Sequence, residues 1–225
     1  MQILITDITD MADGMYCVAG WNEAEGRMIR PLPQGRHWQA ALLEKHRIAV
    51  GSRIKVIPTG RHHNGDYPHT TEDLEVVTGS IQLVDEVPSS QIIEIVPAAA
   101  MNLIQAFEGH LRLENPFRGI SQKLWVPVGS RCRSLVSINR PFGSIEILVN
   151  KFGTLRAKIE SNEGDFNRVE VTVSCSLLKH AYRKGGVAHA MSKLPAADNW
   201  HLRLGLAREF EKTPGECALM LNGVL

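Results

Sequence analysis

Apolar and polar positions alternate with a period of two along much of this chain, the pattern of strands with one face buried. QILITDI (2–8) and MYCVAGWN (15–22) both show it and are rich in β-branched or aromatic residues. Between CVAGW and RMIRPL sits NEAEG, a polar segment ending in glycine, the composition of a hairpin loop closed at positive φ. These segments predict a three-stranded meander. The pattern then changes: WQAALLEKHR puts Ala40, Leu43 and Arg47 at helical spacing, and Gly51 is expected to end the helix. SRIKVIP returns to alternation, with Arg53 and Lys55 opposite Ile54 and Val56, and LEVVTGSIQLVDEV resumes strand character after a long polar loop.

Ala100, Leu103, Ile104 and Phe107 form one apolar stripe of a helix, read as a connector. Beyond it LWVPV, CRSLVSI, SIEILVNKFGTLRAKI, RVEVTVSCSLL, WHLRLGLAREF and ECALMLNGVL read as strands, with NKFG as a hairpin turn and LLKHAYRKGG as a short helical insert. The second half thus repeats the plan of the first without a residue-level repeat. The fold class is mainly β with short helices, in two domains, 1–110 and 111–225. So many short strands favour barrels or sandwiches over a parallel sheet.

Composition narrows the functional classes. With 225 residues, 44% hydrophobic and 22% charged, the chain can bury a substantial core and carries no signature of disorder. A formal charge of +1 gives no global field toward nucleic acid or an anionic surface. The N-terminus lacks the basic and apolar regions of a signal peptide, and no apolar run is long enough to span a membrane, so a cytoplasmic protein without membrane association is expected. Cys17, Cys132, Cys175 and Cys217 are scattered, with no C-x-x-C pair, and read as reduced core thiols. The dinucleotide and P-loop glycine fingerprints and the G-x-S-x-G elbow are absent, and no cofactor is implied.

YCVAGWNEAEGRMIRPLP, PHTTEDLEV and the terminal HLRLGLAREFEKTPGECALMLNGVL together resemble the prokaryotic dual OB-containing domain family: a Cys-x-Ala-Gly strand beside an Ile-Arg-Pro strand, a Glu-Asp pair before a strand, and Leu-Gly-Leu-Ala-Arg followed by a late cysteine. That resemblance implies two consecutive OB-like barrels joined by a helical connector, and recognition of a nucleic acid or nucleotide without an established activity.

Arg30 lies on the face of its strand that also carries Met28 and Leu32, so its guanidinium needs a partner. Either Glu72 or Asp73 supplies an internal carboxylate, or the fork is held for a phosphate or base, with Arg36, His37 and Trp38 in the next loop. Trp38 reads as a core cap or, if exposed, as a stacking platform. Arg53, with Lys55 and Arg61, can line the same groove or a solvated strand face. In the second half Arg203 is expected outward and Arg208 on the leucine side, pairing with an acid or meeting a ligand. RHHNGDYPHTTED gathers His62, His63, Asp66, His69, Glu72 and Asp73, the alternative site for a metal-dependent enzyme on a phosphorylated substrate.

The expectation is therefore a non-catalytic recognition module. Its ligand-binding residues are Arg30, Arg36, His37, Trp38, Arg53, His69 and Arg208, and its partner is single-stranded nucleic acid or a nucleotide. Metal binding by His62, His63 and His69, and a protein-interaction domain serving a protein partner, are the alternatives.

Overall fold

A computed structural model describes residues 1–61, 65–99, 102–163 and 166–225. The chain divides into two compact units, 1–65 with 72–97, and 66–71 with 98–225. The boundary follows Pro97 rather than residue 110, because Leu103, Ala106 and Phe107 are core residues of the second unit. The stripe read as a connector is therefore the buried face of a short helix packed into that core; its first member, Ala100, lies outside the described residues.

The first unit opens with the expected meander, β1 (Gln2–Asp10), β2 (Met15–Asn22) and β3 (Arg27–Pro33). It continues through β4 (Trp38–Gln39), α1 (Ala40–His46), β5 (Ser52–Lys55), β6 (Asp73–Val76), β7 (Gln82–Glu86) and α2 (Ser89–Ile95). β1 serves two neighbours: Gln2–Leu4 pair with β5 and Leu4–Asp10 with β2, the ladder slipping between Ile5 and Asp7. At that slip a Cβ on Gly20 would lie 2.4 Å from the Leu4 carbonyl oxygen, which is why the Cys-x-Ala-Gly strand carries a glycine there. β3 pairs in parallel with β6. The sheet then curls back on itself: Pro58, just after β5, bridges Val76 of β6 antiparallel, and the Thr59 N–H donates to the Glu75 carbonyl at 3.0 Å. Ile3, Ile5, Val18, Ile29, Trp38 and Ile54 fill the enclosed core.

The helix α1 ends before Gly51, at Arg47, which adopts φ 53° and returns its N–H to the carbonyls of Leu43 and Glu44. Gly51 serves another purpose: at φ 94° a Cβ would sit 2.3 Å from the Val87 carbonyl oxygen.

The second unit comprises α3 (Leu103–Ala106), β8 (Arg112–Phe117), β9 (Ile120–Pro127), β10 (Leu135–Pro141), β11 (Ile145–Val149), β12 (Leu155–Glu163), β13 (Phe166–Val173), α4 (Ser176–Met191), β14 (Asn199–Leu206) and β15 (Glu216–Val224). β10 and β11 are two halves of one bent run: β10 pairs with β14 and, past a turn, β11 pairs with β12. β12 pairs with β13, β13 runs parallel to β15, and β15 pairs with β14, so the strands close a circuit. Part of the connectivity of the first unit recurs: a first run shared between two partners, a meander, a helix after the third strand, and a parallel pairing of the third strand with a later one, β6 in the first unit and β15 in the second; β7, which follows β6 and pairs with β5, has no counterpart. The β8–β9 hairpin is an addition, its second strand lying against both β13 and β15.

The helical insert is longer than LLKHAYRKGG: α4 breaks its helical geometry at Gly185 and Gly186 and runs on to Met191. Among the described residues no helix is long and apolar enough to cross a membrane.

Candidate functional site

Arg30 is 4% exposed and its Nη1 lies 2.5 Å from Asp73 Oδ1, on a carboxylate with no exposed side-chain surface. The parallel pairing of β3 with β6 sets this up by putting Arg30 directly opposite Asp73. The Arg30 N–H also donates to the Glu72 carbonyl at 2.7 Å. Cys17 on β2 completes the cluster. Burial pushes its thiol up, and the Coulombic pull and hydrogen bond of Arg30 offset only part of that. For Arg30 burial acts to lower the pKa, but Cys17, Asp73 and Glu72 outweigh it and hold the guanidinium charged. Of the two roles open to Arg30 in the sequence, the internal carboxylate is the one realised. Asp7 and Thr6 are buried nearby in sequence on β1, with the Thr6 hydroxyl donating to Asp7 at 2.7 Å.

The first-unit groove expected from Arg30, Arg36, Trp38 and Arg53 is not assembled on one accessible face. Trp38 is 0% exposed and its indole N–H donates to the Pro31 carbonyl at 2.8 Å, so it closes the core and offers no ring to a base. Arg53 spreads its fork over two acids, Nη1 to both oxygens of Asp85 at 2.8 Å and Nη2 to Glu23 at 3.0 Å. Arg36 is exposed and His37 half-buried.

His62 and His63 lie outside the described residues. His69 is buried in the second unit, where Nε2 sits 2.9 Å from the Leu206 carbonyl. A carbonyl only accepts, so that nitrogen carries the proton and is not a metal donor. Among the described residues no group of three His, Cys, Asp or Glu side chains is disposed to hold a metal ion. Arg203, expected outward, is 1% exposed: its strand is buried on both faces, and Nη1 donates to the Ser137 hydroxyl on β10. β14 ends at Leu206, so Arg208 stands half-buried in the following loop and shares no face with the leucines. There it offsets a little of the rise in Cys217, which burial and Glu209 push up to about 11.

The accessible chemistry of the second unit lies elsewhere. On β11–β13 the alternation turns Ile145, Ile147, Ala157, Ile159, Val169 and Val171 into the core. The opposite face carries Glu146, Arg156, Lys158, Glu160, Arg168 and Glu170, three cations and three anions. Arg156 is firmly held, with Nε on Glu170 at 3.0 Å and Nη2 on the Glu170 carbonyl at 3.1 Å. The others are loose: Lys158 stands 3.8 Å from Glu146, and Arg168 stands 3.8 Å from Glu146 and 4.0 Å from Glu160. Pairs at such lengths exchange partners at little cost.

Two loops adjoin this unit's meander and closing strands. Between β11 and β12, Asn150 Oδ1 accepts from the N–H groups of Phe152 and Thr154 at 3.0 and 2.9 Å, and Gly153 takes φ 78°. That rigid turn leaves Phe152 78% exposed with Lys151 Nζ 5.0 Å from its ring centroid. Between β14 and β15, Phe210 bridges Thr213, and Glu209 accepts from the Gly215 N–H at 2.9 Å. Phe210 is 68% exposed there. Neither phenylalanine was singled out by the sequence reading. Phe152 lay inside NKFG, where an aromatic at a turn tip, in place of Asn, Asp or Gly, was the available signal.

No protein-family model matches this chain, and no curated protein matches it either.

Proposed function

We propose that this chain is a non-catalytic recognition module of two OB-type barrels, as its resemblance to the prokaryotic dual OB-containing domain family implies, and that it binds single-stranded nucleic acid on the outward face of β11–β13. An OB barrel is a small Greek-key barrel that takes oligonucleotides over its second and third strands, between the loop after the first strand and the loop before the last. What supports this reading in the second unit is its circuit of β10–β11, β12, β13, β15 and β14, with a helix between β13 and β14. The observation that carries the reading is that these two loops of the second unit hold Phe152 and Phe210 out in solvent on turns fixed by their own hydrogen bonds. A rigid exposed ring stacks on any base with little loss of conformational freedom, contributing about 1–3 kcal/mol per base. In this reading Arg30 and Asp73 of the first unit, buried against each other, take no part in binding. Four thiols without a disulfide fit a reducing, cytoplasmic setting.

Charge on this face is balanced, so stacking supplies most of the affinity. Lys151, Lys158 and Arg168 are the cations free to exchange their partners for phosphates, and at about 0.7 per phosphate they give a salt slope near −2. Fluorescence anisotropy with labelled single-stranded DNA and RNA tests this. Binding at low salt, weakened roughly 5- to 150-fold by Phe152→Ala, is the expected result. Absence of binding at low salt, or indifference to Phe152→Ala, refutes it.

A further inference from the structure

The β8–β9 hairpin lies outside the five-strand circuit of the second unit, yet it joins the same outward face. Arg168 of β13 stands in register with Ile120 of β9, and Ile120 with Phe117 of β8. Residues in register on adjacent strands point to the same side of a sheet, so Phe117, Ile120, Arg168 and Glu160 form one row on the face that carries Lys158. Phe117 is 57% exposed, and the Arg118 guanidinium carbon lies 5.4 Å from its ring centroid. The turn is built from Arg118 at φ 51° and Gly119 at φ 75°. The first of these positions favours Asn, Asp or Gly, so an arginine there is not dictated by the turn. Gly119 abuts Asn167, a Cβ on it coming 3.0 Å from Asn167 Oδ1, which fixes the hairpin tip against β13.

We infer that Phe117 and Arg118 form a second stacking and phosphate contact for the same single strand, at the far end of the face from Phe152; this rests on the reading proposed above. Five residues of rise along β12 (about 17 Å) and three strand spacings (about 14 Å) separate the two ends, roughly 22 Å over the sheet. A strand bound at both ends must cross that distance with Lys158 and Arg168 beneath it, within the roughly 4–16 nucleotides that such barrels cover. Affinity should therefore grow with oligonucleotide length until the second contact is reached.

The test compares labelled oligothymidylates of roughly four and roughly twelve nucleotides on the full chain. Phe117→Leu keeps the apolar bulk while removing the stacking face, and Arg118→Asn eases the turn while removing the cation. Each should weaken the longer probe at least about fivefold and leave the shorter one unchanged, with Phe152→Ala weakening both. If the longer probe binds and responds to Phe152→Ala but not to either hairpin variant, the second contact is wrong and the first stands. If the unaltered chain binds neither probe at low salt, both fall.

Discussion

Arg30 and Asp73 are joined where almost no side-chain surface reaches water, so each is compensated by the other. Removing one partner strands a charge, and Asp73→Ala is expected to lower unfolding free energy by about 3–5 kcal/mol in urea titrations. Arg30→Met with Asp73→Leu should recover most of that, since an apolar pair needs no desolvated charges. A smaller effect carries a pH signature. Cys217 is held near 11, above the ordinary 9.0 of an unfolded thiol, so below pH 9 both states are protonated and the group contributes nothing that varies. Above it the unfolded chain ionises first, and stability should fall by about 2 kcal/mol as pH rises from 9 toward 11. Denaturation midpoints for the unaltered chain and Cys217→Ala should converge in slope over that window if another group is responsible. Arg30 was legible at this scale because an arginine on an apolar strand face demands a carboxylate. Arg203 was not, because alternation distinguishes two faces but says nothing of a strand buried on both.

The elements that could be read were those whose pattern agreed with their turn chemistry. The opening meander follows from alternation interrupted by NEAEG, and the β11–β12 hairpin from alternation interrupted by NKFG. The β8–β9 hairpin gave no such signal. LRLENPF alternates only over its first four residues, contains Asn115 at φ 55° followed by Pro116, and turns on Arg-Gly in place of Asn-Gly. The same departures from strand chemistry that hid it set Phe117 and Arg118 at an exposed tip. Gly20 gives a test of how β1 is shared between β2 and β5. Gly20→Ala drives a methyl into backbone that cannot yield, and a loss of roughly 2 kcal/mol or more is expected by thermal or urea denaturation. Phe152→Ala should by contrast leave stability within about 0.5 kcal/mol, because the ring buries almost nothing in the free protein.

For the whole molecule, the mainly β character was legible from alternation, whereas the apolar stripe around Leu103, expected to be a connector, is drawn into the second core. The candidate binding face was hidden for a different reason. Clustered basic residues stand out in the first half of the sequence, where folding consumes Arg30 and Arg53 in ion pairs. In the second half the cations are interleaved with glutamates, and only cross-strand register reveals which pairs are loose. The measurement that bears most directly on the account is an amide spectrum of the isotopically labelled chain during titration with oligothymidylate. Shift changes confined to residues 150–154, the outward positions of β11–β13, the Phe210 loop and, with the longer probe, the Phe117–Gly119 hairpin tip are the predicted result. Changes centred on Arg30 and Trp38, or none at all at low salt, would contradict it.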